Sequence, residues 1–287
     1  MAVKSVLITG CSDGGIGSAL ALAFQKRGLH VFATARTISK MSRLDGLPCV
    51  TLVTLDVTNY ASITSAVEIV KSATGGTLDY LVNNSGVGYV MPTLDVDIEE
   101  AKRVFDVNVW GLLAVTQAFA PLVIATNGSI VNISSVGGLL YPPWLSVYTA
   151  SKSAVTTISE TLRLEMAPLG VKVLTAVTGT VHSNFFVNGP QHKLPPTSRY
   201  VSVEKSIVAR AQGRDIQSGM NAAKYADRVV DDVLRGENGK IWRGKLASIV
   251  RYASTYLPTF VLDWLLLQQT GLDTFPTTRA KEAKLRI

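Results

Sequence analysis

The sequence is poor in cysteine and has no segment typical of a secreted or membrane-spanning protein. Its two cysteines, Cys11 and Cys49, are too few for a disulfide framework, and neither has the spacing of a metal ligand. Residues 3–9 are apolar but too short for a signal peptide, and no uninterrupted run of about 18 apolar residues follows. We therefore expect a protein of a reducing compartment, cytoplasmic or at the surface of an intracellular membrane, without a metal site.

Charged residues are also scarce, and no dense stripe of one sign is present. They make up 17% of the 287 residues, whereas hydrophobic residues make up 47%. This balance favours one large, well-buried α/β domain over residues 1–287. The net charge of +7 is scattered along the chain, which argues against a nucleic-acid partner but suits an anionic, phosphate-bearing ligand.

Segments typical of strands and helices alternate as far as residue 177. Apolar strands that alternate with helices predict a parallel sheet with helices on both faces, and right-handed crossovers make it a doubly wound sheet, or Rossmann fold. The pattern then breaks: residues 183–220 predict a lid-like segment, and residues 250–287 an apolar C-terminal extension. Strands are predicted at 3–9, 30–35, 50–55, 78–82, 129–133 and 171–177, and helices at 16–27, 61–73, 99–120 and 147–167.

A glycine-rich turn, Thr9-Gly10-Cys11-Ser12-Asp13-Gly14-Gly15-Ile16-Gly17, joins the first strand to the first helix. Glycines let the backbone turn tightly and approach a pyrophosphate, and the helix N-terminus supplies N–H donors. The turn therefore predicts a dinucleotide site. The candidate cofactor contacts in it are Gly10, Ser12, Asp13, Gly15, Ile16 and Gly17.

The end of the second strand indicates which dinucleotide would bind. An NAD enzyme usually has an acidic residue here for the ribose hydroxyls. This chain has Ala33-Thr34-Ala35-Arg36 instead, and a guanidinium at Arg36 suits the 2′-phosphate of NADP(H). A solvated surface arginine is the alternative, but the missing acid favours NADP(H).

Tyr148 and Lys152 are four residues apart within a predicted helix, and residues at that spacing share one face. A neighbouring ammonium lowers the pKa of a tyrosine from its reference of about 10. Such a phenol can exchange a proton with a substrate oxygen near neutral pH. The pair therefore predicts interconversion of a carbonyl and an alcohol beside a bound hydride carrier.

Together these motifs resemble the classical short-chain dehydrogenases/reductases over residues 3–184, and among them the fungal 1-acyldihydroxyacetone-phosphate reductase-like enzymes. The resemblance implies a tetrad in which Tyr148 is the general acid and Lys152 binds the nicotinamide ribose. Ser135, thirteen residues before Tyr148, would contact the substrate oxygen, and Asn108 would hold a water at a helix distortion. The other cofactor contacts implied are Asp56, Val57, Asn83, Ser85, Gly86, Gly179, Val181 and Ser183, together with Tyr148 and Lys152.

The chain departs from the family pattern at two sites. The glycine-rich turn has one residue more than usual, which changes how the loop would meet the phosphates. After the sixth strand, Thr178-Gly179 replaces the usual Pro-Gly, and Ser183 replaces a threonine that contacts the nicotinamide amide. Because a hydroxyl survives at Ser183, we expect the cofactor to keep its orientation.

Apolar and aromatic residues cluster in sequence around the expected pocket mouth and suggest a bulky apolar or aromatic substrate. Ordinary core packing is the alternative for each of them. His182 is a candidate for a second acid/base role, although loop packing is the favoured interpretation. The candidate pocket residues are Leu139, Tyr141, Trp144, Phe185 and Phe186.

Three functions are compatible with these motifs. The leading hypothesis is an NADPH-dependent carbonyl reductase of a small molecule; the others are a redox-neutral isomerase or cyclase of specialised metabolism with bound NADP(H), and a non-catalytic dinucleotide sensor. The apolar residues 256–267, interrupted by Pro258 and Asp263, need a covering surface. They are expected to cap the pocket, to contact another subunit of a homo-oligomer, or to touch a membrane peripherally through Trp264 and Arg251.

Overall fold

A computed structural model of the chain describes residues 3–185, 193–214, 218–273 and 275. The strands of its main sheet are β1 (Ser5–Ile8), β2 (His30–Ala35), β3 (Val50–Thr54), β4 (Tyr80–Asn83), β5 (Ser129–Ser135), β6 (Lys172–Thr178) and β9 (Gly239–Arg243). They are parallel throughout, in the order β3-β2-β1-β4-β5-β6-β9. The order reverses between β1 and β4, where carboxyl strand ends open onto a crevice. The predicted doubly wound sheet is therefore confirmed.

The described helices are α1 (Ile16–Lys26), α2 (Tyr60–Thr74), α3 (Ile98–Phe105), α4 (Gly111–Ile124), α5 (Ser146–Met166), α6 (Glu204–Ala211), α7 (Ala222–Leu234), α8 (Ala247–Tyr256) and α9 (Thr259–Leu267). Helices cover both faces of the sheet. Successive residues of a strand point to opposite faces, so the apolar strands need a covering layer on each side. Val6 and Ile8 of β1 belong to the core with α1 and α7, whereas Leu7 belongs to the core with α2 and α4.

The structure corrects the predicted helix 99–120. It consists of α3, a π-helical turn at Asp106–Trp110, and α4. Pro121 does not end α4, because the carbonyl of Pro121 still accepts a hydrogen bond from Ala125 N at 3.1 Å and the helix continues to Ile124. A proline lacks its own N–H and its ring crowds the carbonyl four residues before it, but its carbonyl can still accept a hydrogen bond, so one further turn can form after it.

The seventh strand, β9, and the helix α7 before it were not predicted. β9 pairs only with β6 among the described strands, and its sequence Gly-Lys-Ile-Trp-Arg lacks the long apolar run of a central strand. Asp232 of α7 fixes this edge. Its carboxylate is 1% exposed and is hydrogen-bonded by Arg235 and by Arg243 of β9. A buried carboxylate of this kind needs its cationic partners, so the three residues tie the strand to the helix.

The segments expected to form a lid and an extension are partly described. Within 183–220 the chain forms α6 and the end of a two-stranded pair, β7 (Val181–His182) and β8 (Met220–Asn221); residues 186–192 and 215–217 lie outside the described residues. Within 250–287 the chain forms most of α8 and all of α9. The assignment of these segments as a lid and an extension stays a prediction.

One helical stretch of the described chain, residues 98–124, has the length and hydropathy of a membrane-spanning helix. Half of its most apolar window is buried inside the fold. Val115 and Phe119 of this stretch are fully buried against the sheet, so we interpret it as a core helix.

Candidate active site

The four residues of the expected tetrad meet at the carboxyl ends of β4 and β5. Ser135 is the last residue of β5, while Tyr148 and Lys152 lie one turn apart on α5. The side chains of Ser135 and Tyr148 lie side by side, since a Cβ atom on Gly137 would be 3.3 Å from Ser135 Oγ and 3.5 Å from Tyr148 Cε1. Gly86 lies three residues after β4. A Cβ atom placed on it would be 3.3 Å from Asn108 Oδ1 and 3.5 Å from Lys152 Nζ, so the side chains of Asn108 and Lys152 meet at Gly86.

The helix distortion expected at Asn108 is present, since Asn108 lies in the π-helical turn. Its Oδ1 accepts a hydrogen bond from Val87 N at 2.8 Å, and its Nδ2 donates to Val87 O at 3.0 Å. Nδ2 also donates to Ser151 Oγ at 3.0 Å, and Ser151 Oγ donates to Tyr148 O at 2.7 Å. Ser151 was not singled out from the sequence, because it belongs to no motif, yet it joins Asn108 to the helix of Tyr148.

Burial sets the protonation of the two ionisable groups. Burial raises the pKa of Tyr148, and the neighbouring Ser135 side chain acts in the opposite direction. Burial lowers the pKa of Lys152 to about 8. The expected depression of the Tyr148 pKa by Lys152 is not found, because Lys152 Nζ donates to the carbonyl of Ile133 at 2.9 Å and burial dominates at both residues.

The structure distinguishes the two adjacent serines at the end of β5. The Ser134 hydroxyl is buried and lies 2.6 Å from Thr156 Oγ1 and 3.2 Å from the carbonyl of Lys152. Ser135 lies on the other side of the strand, where its Oγ accepts from Gly137 N at 3.0 Å and meets Tyr148. Ser135, the serine that the spacing selects, is therefore the one on the Tyr148 side of the strand, and its catalytic role stays a prediction.

The glycine-rich turn is closed by backbone contacts that leave no room for side chains. A Cβ atom on Gly17 would collide with the carbonyl oxygen of Gly10. Asn84 Nδ2 donates to the carbonyls of Thr9 and Gly10 at 2.8 and 3.1 Å, and so holds the start of the turn. Ser85 lies beside the same turn, where its Oγ would be 3.0 Å from a Cβ atom on Gly10. Gly15 precedes α1, Ile16 begins it, and Ser12 O accepts from Gly15 N at 3.1 Å.

Two predicted cofactor contacts, Asp13 and Asn83, have side chains that are engaged elsewhere, so their main chains are left for the contact, which stays a prediction. The Asp13 carboxylate accepts hydrogen bonds from Ser42 and Arg43, in the loop after β2. The Asn83 side chain is buried within the sheet, where its Nδ2 donates to Thr116 Oγ1 and to Asn132 Oδ1, both at 2.9 Å. Asn83 is the last residue of β4, so its main chain lies at the sheet edge while its side chain is turned into the core.

Arg36 directly follows β2 and is exposed, without an ion pair to any described residue. Asp56 follows β3, and its Oδ1 accepts from Thr58 N and Thr58 Oγ1 at 2.9 and 2.8 Å, which closes a local turn. Val57 is buried next to Gly111 at the start of α4, where a Cβ atom would lie 2.8 Å from Val57 Cγ2. These residues lie after neighbouring strands, as a dinucleotide site at the sheet edge requires.

The chain after β6 is held close to the segment that follows β9. Gly179 N donates to Arg243 O at 2.8 Å, and a Cβ atom on Gly179 would collide with the carbonyl of Lys245. Val181 pairs with Met220 in the small sheet, and Ser183 follows that pair, partly buried. His182 Nε2 accepts from Gly219 N at 2.8 Å, which supports loop packing for this histidine over an acid/base role.

The structure brings some predicted pocket residues to Tyr148 but not all. The Phe185 ring lies 5.6 Å from the Tyr148 ring, centroid to centroid, and Trp144 is buried in a cluster that includes Tyr148. Leu139 is partly buried, on the loop between Ser135 and Tyr148. Tyr141 is 52% exposed and lies near Asp263 of α9, whose carboxylate acts to raise the pKa of Tyr141, so it faces the C-terminal helix. Phe186 lies outside the described residues.

The chain is similar in sequence to a known family. The family model for short chain dehydrogenases matches residues 4–193. The short-chain dehydrogenase ptmH of Penicillium ochrochloron is 49% identical, over 94% of this chain and 98% of that protein. The NADPH-dependent 1-acyldihydroxyacetone phosphate reductase of Schizosaccharomyces pombe is 35% identical, over 88% of this chain and 90% of that protein.

Solved structures are similar over nearly the whole length. A short chain dehydrogenase from Burkholderia cenocepacia in complex with NADP has a TM-score of 0.72 at 25% identity, and the match covers 93% of this chain and 98% of that one. A short-chain dehydrogenase from Streptomyces avermitilis has a TM-score of 0.76 at 29% identity, with 95% and 97% covered.

Proposed function

The chain belongs to the short-chain dehydrogenase family, and we propose that it is an NADPH-dependent oxidoreductase that interconverts a carbonyl and an alcohol on a small molecule. The observation that carries this proposal is the adjacent pair of Ser135 and Tyr148 next to the buried Lys152. A hydroxyl pair beside a buried ammonium suits proton exchange with a substrate oxygen.

Each residue of the tetrad has a separate task in this proposal. In reduction, Tyr148 gives its hydroxyl proton to the substrate oxygen, and in oxidation it takes that proton back. Ser135 donates a hydrogen bond to the same oxygen and stabilises the charge that develops on it. Lys152, whose Nζ lies beside Gly86, binds the nicotinamide ribose and so positions the cofactor next to Tyr148. Asn108 holds a water through which Lys152 exchanges protons with solvent.

The described residues fit a dinucleotide at this edge of the sheet. The N-terminus of α1 has no side-chain cap at Gly15, so its N–H groups suit a pyrophosphate, and the absence of a side chain at Gly86 lets the main chain lie close to Lys152. Arg36 supplies a free guanidinium for a 2′-phosphate. The NADP complex of the Burkholderia neighbour and the NADPH dependence of the fission-yeast relative support the choice of NADP(H). When bound, NADPH supplies the hydride.

The substrate is a bulky apolar or aromatic carbonyl compound in this proposal. Phe185 packs on Tyr148, and Trp144 forms an edge-on contact with Tyr200 at 5.2 Å between ring centroids. Aromatic walls with few polar groups favour apolar ligands. The fungal relatives at 49% identity favour a place in fungal specialised metabolism.

The direct test follows NADPH consumption by absorbance with a panel of apolar ketones, together with the mass of each product. A product heavier by two hydrogens, formed with equimolar loss of NADPH, supports the reductase. Product formation without NADPH loss supports the redox-neutral isomerase or cyclase instead. Binding of NADPH without turnover of any substrate that itself binds supports the dinucleotide sensor.

A second copy of the chain is the partner proposed for the face formed by α3 and α5. A groove of about 600 Å³ lies on this face, on the side of α5 away from Tyr148, and Ile98 and Trp110 at its edge are 63% and 56% exposed. Exposed apolar surface of this kind is typical of protein contacts. Light scattering of the wild-type protein and of Trp110→Glu tests this homo-oligomer.

The C-terminal helices are proposed to have two faces with different partners. The inner face caps the loop 139–145, because Asp263 lies near Tyr141 and Leu262 is buried. The outer face exposes Phe260 and Trp264, which are 73% and 61% exposed, and suits peripheral contact with an intracellular membrane. This is consistent with the cytoplasmic location that we propose for the rest of the protein.

A further inference from the structure

The carboxylate of Asp13 binds the loop after β2. Its Oδ2 accepts hydrogen bonds from Ser42 N and Ser42 Oγ at 2.9 and 2.7 Å, and its Oδ1 accepts from Arg43 N at 3.2 Å. The N–H of Asp13 donates to the carbonyl of Lys40 at 2.7 Å. Asp13, in the glycine-rich turn, is therefore bound to residues 40–43 by hydrogen bonds of both its side chain and its main chain.

The loop that Asp13 fastens is a basic one. Arg36, Lys40 and Arg43 are exposed, and none of them forms an ion pair with another residue that the structure describes. Asp45 is the one acidic residue of the sequence 36–47. The loop therefore presents an excess of positive charge directly after the strand where a 2′-phosphate is expected.

Gly14, next to Asp13, explains how the turn reaches this loop. Gly14 has φ +73°, which L side chains rarely adopt, and a Cβ atom there would collide with Asn184. The chain reverses at this glycine, and Asp13 stands at the outside of the reversal.

We propose that Asp13 is a positioning residue that pre-orders residues 36–43 to receive the 2′-phosphate of NADP(H). This rests on the proposed function. A loop that is already ordered spares the ligand the entropy cost of ordering it, which raises affinity. The role opposes simple electrostatics, because a carboxylate near a phosphate weakens binding by repulsion. If Asp13 pre-orders the loop, its removal weakens binding of the 2′-phosphate. If its charge only repels the phosphate, its removal strengthens that binding.

The experiment measures binding of 2′,5′-ADP and of 5′-AMP by calorimetry, since these probes differ only in the 2′-phosphate. Both carboxylate oxygens of Asp13 accept hydrogen bonds from the loop, whereas the amide of Asp13→Asn has one oxygen that accepts and one NH₂ group that cannot. We expect the preference for 2′,5′-ADP to fall about tenfold, as loss of charge-assisted hydrogen bonds implies. Asp45→Asn, which removes the same charge from an exposed carboxylate of the same loop, should leave the preference unchanged or slightly raise it. Ser42→Ala, which removes one of the bonds to Asp13, should lower it less than Asp13→Asn does.

The outcomes separate this inference from the proposed function. If the wild-type protein binds both probes equally, the NADP preference itself fails. If the wild type prefers 2′,5′-ADP and Asp13→Asn keeps or increases that preference, the positioning role is overturned. Unchanged 5′-AMP affinity shows that Asp13→Asn is folded; if that variant does not fold, an unaltered preference in Ser42→Ala overturns the role.

Discussion

The two sides of the crevice are held together by different kinds of contact. On the cofactor side, main chain approaches main chain: Gly17 lies against the carbonyl of Gly10, and Gly179 against that of Lys245. On the substrate side, rings pack on rings, as in the contacts of Trp144 with Tyr200 and of Tyr200 with the Phe275 ring, 6.0 Å away. Main-chain contacts accept no additional carbon atom, whereas rings can shift and be exchanged.

This difference explains how one fold can keep its cofactor while its substrates vary. A single added methyl group would break the turn at Gly17, so sequence variation is restricted there. Aromatic packing tolerates replacement at the cost of a changed pocket shape. Variants on the cofactor side should therefore change cofactor affinity, and variants on the substrate side should change substrate KM. A variant of Tyr148, which lies between the two sides, should change kcat alone.

The largest effect is expected at this boundary, from Tyr148→Phe. The change removes the hydroxyl beside Ser135 and keeps the ring that packs on Phe185. We expect kcat to fall about 10²–10⁴-fold, because one general acid is lost, while NADPH affinity stays near wild type. Tyr141→Phe is the matched control, since Tyr141 lies near Asp263 on the C-terminal helix and should keep its kcat. More than half of the wild-type kcat in Tyr148→Phe would rule out the role of the phenol.

Arg36→Leu should affect only the cofactor side. The guanidinium is exposed and available to a 2′-phosphate, and a charge-assisted hydrogen bond contributes about 1.5–3 kcal/mol. We expect NADPH binding to weaken about ten- to a hundredfold and NADH binding to stay constant. Fluorescence titration with both cofactors measures this, and NADH is the internal control. An equal loss for both cofactors would show that Arg36 does not discriminate between them.

The same difference between the two sides decides how much was predictable from the sequence. Backbone geometry leaves a local signature, so the glycine-rich turn and the first six strands along the chain could be predicted from the sequence pattern, and spacing placed Ser135 beside Tyr148. The partners of Asp13 and Asn83 could not, because they lie about thirty residues away in sequence, on the loop after β2 and on helix α4. Strand β9 was missed because an edge strand of five residues has no apolar run. The aromatic pairs of the substrate side depend on tertiary packing, for which sequence spacing gives no rule.

Phe185→Ala should affect only the substrate side. The ring fills the space between Tyr148 and Gly88, where a Cβ atom would lie 2.9 Å from Phe185 Cε1. We expect KM for a bulky apolar ketone to rise about tenfold, with KM for NADPH and for acetone unchanged. In Gly88→Ala the added methyl group presses on the same ring from the side opposite Tyr148. This variant should change the KM for the bulky ketone and leave the KM for NADPH and for acetone unchanged. A parallel change in the KM for NADPH would mean that the two sides are not separable.

A smaller effect is expected on stability, at Lys152. Burial lowers its pKa to about 8, whereas an exposed lysine titrates near 10.5. Between these pH values the unfolded chain keeps a proton that the folded chain has lost, so rising pH stabilises the folded state. The Tm of wild type should therefore rise relative to that of Lys152→Met as pH rises from about 8 to 10.5. Lys102→Met, at an exposed residue paired with Glu99, is the control and should show no such trend. A constant Tm difference for Lys152→Met would contradict the depressed pKa.

The smallest effect on catalysis is expected from the outer face of α9, because this face touches neither side of the crevice. Phe260 and Trp264 are exposed, while Leu262 of the same helix is buried, so a Phe260→Ser, Trp264→Ser double variant should keep the fold. We expect unchanged kcat and KM but weaker flotation with vesicles that contain anionic lipid, since aromatic residues bind at the headgroup boundary. Leu164→Ser, which removes an equally exposed apolar residue from α5, should float like wild type. If wild type does not float and the double variant instead loses mass in light scattering, the outer face binds a second copy and not a membrane. A change in substrate KM would mean that the face belongs to the pocket, and the separation of the two faces of α9 would be wrong.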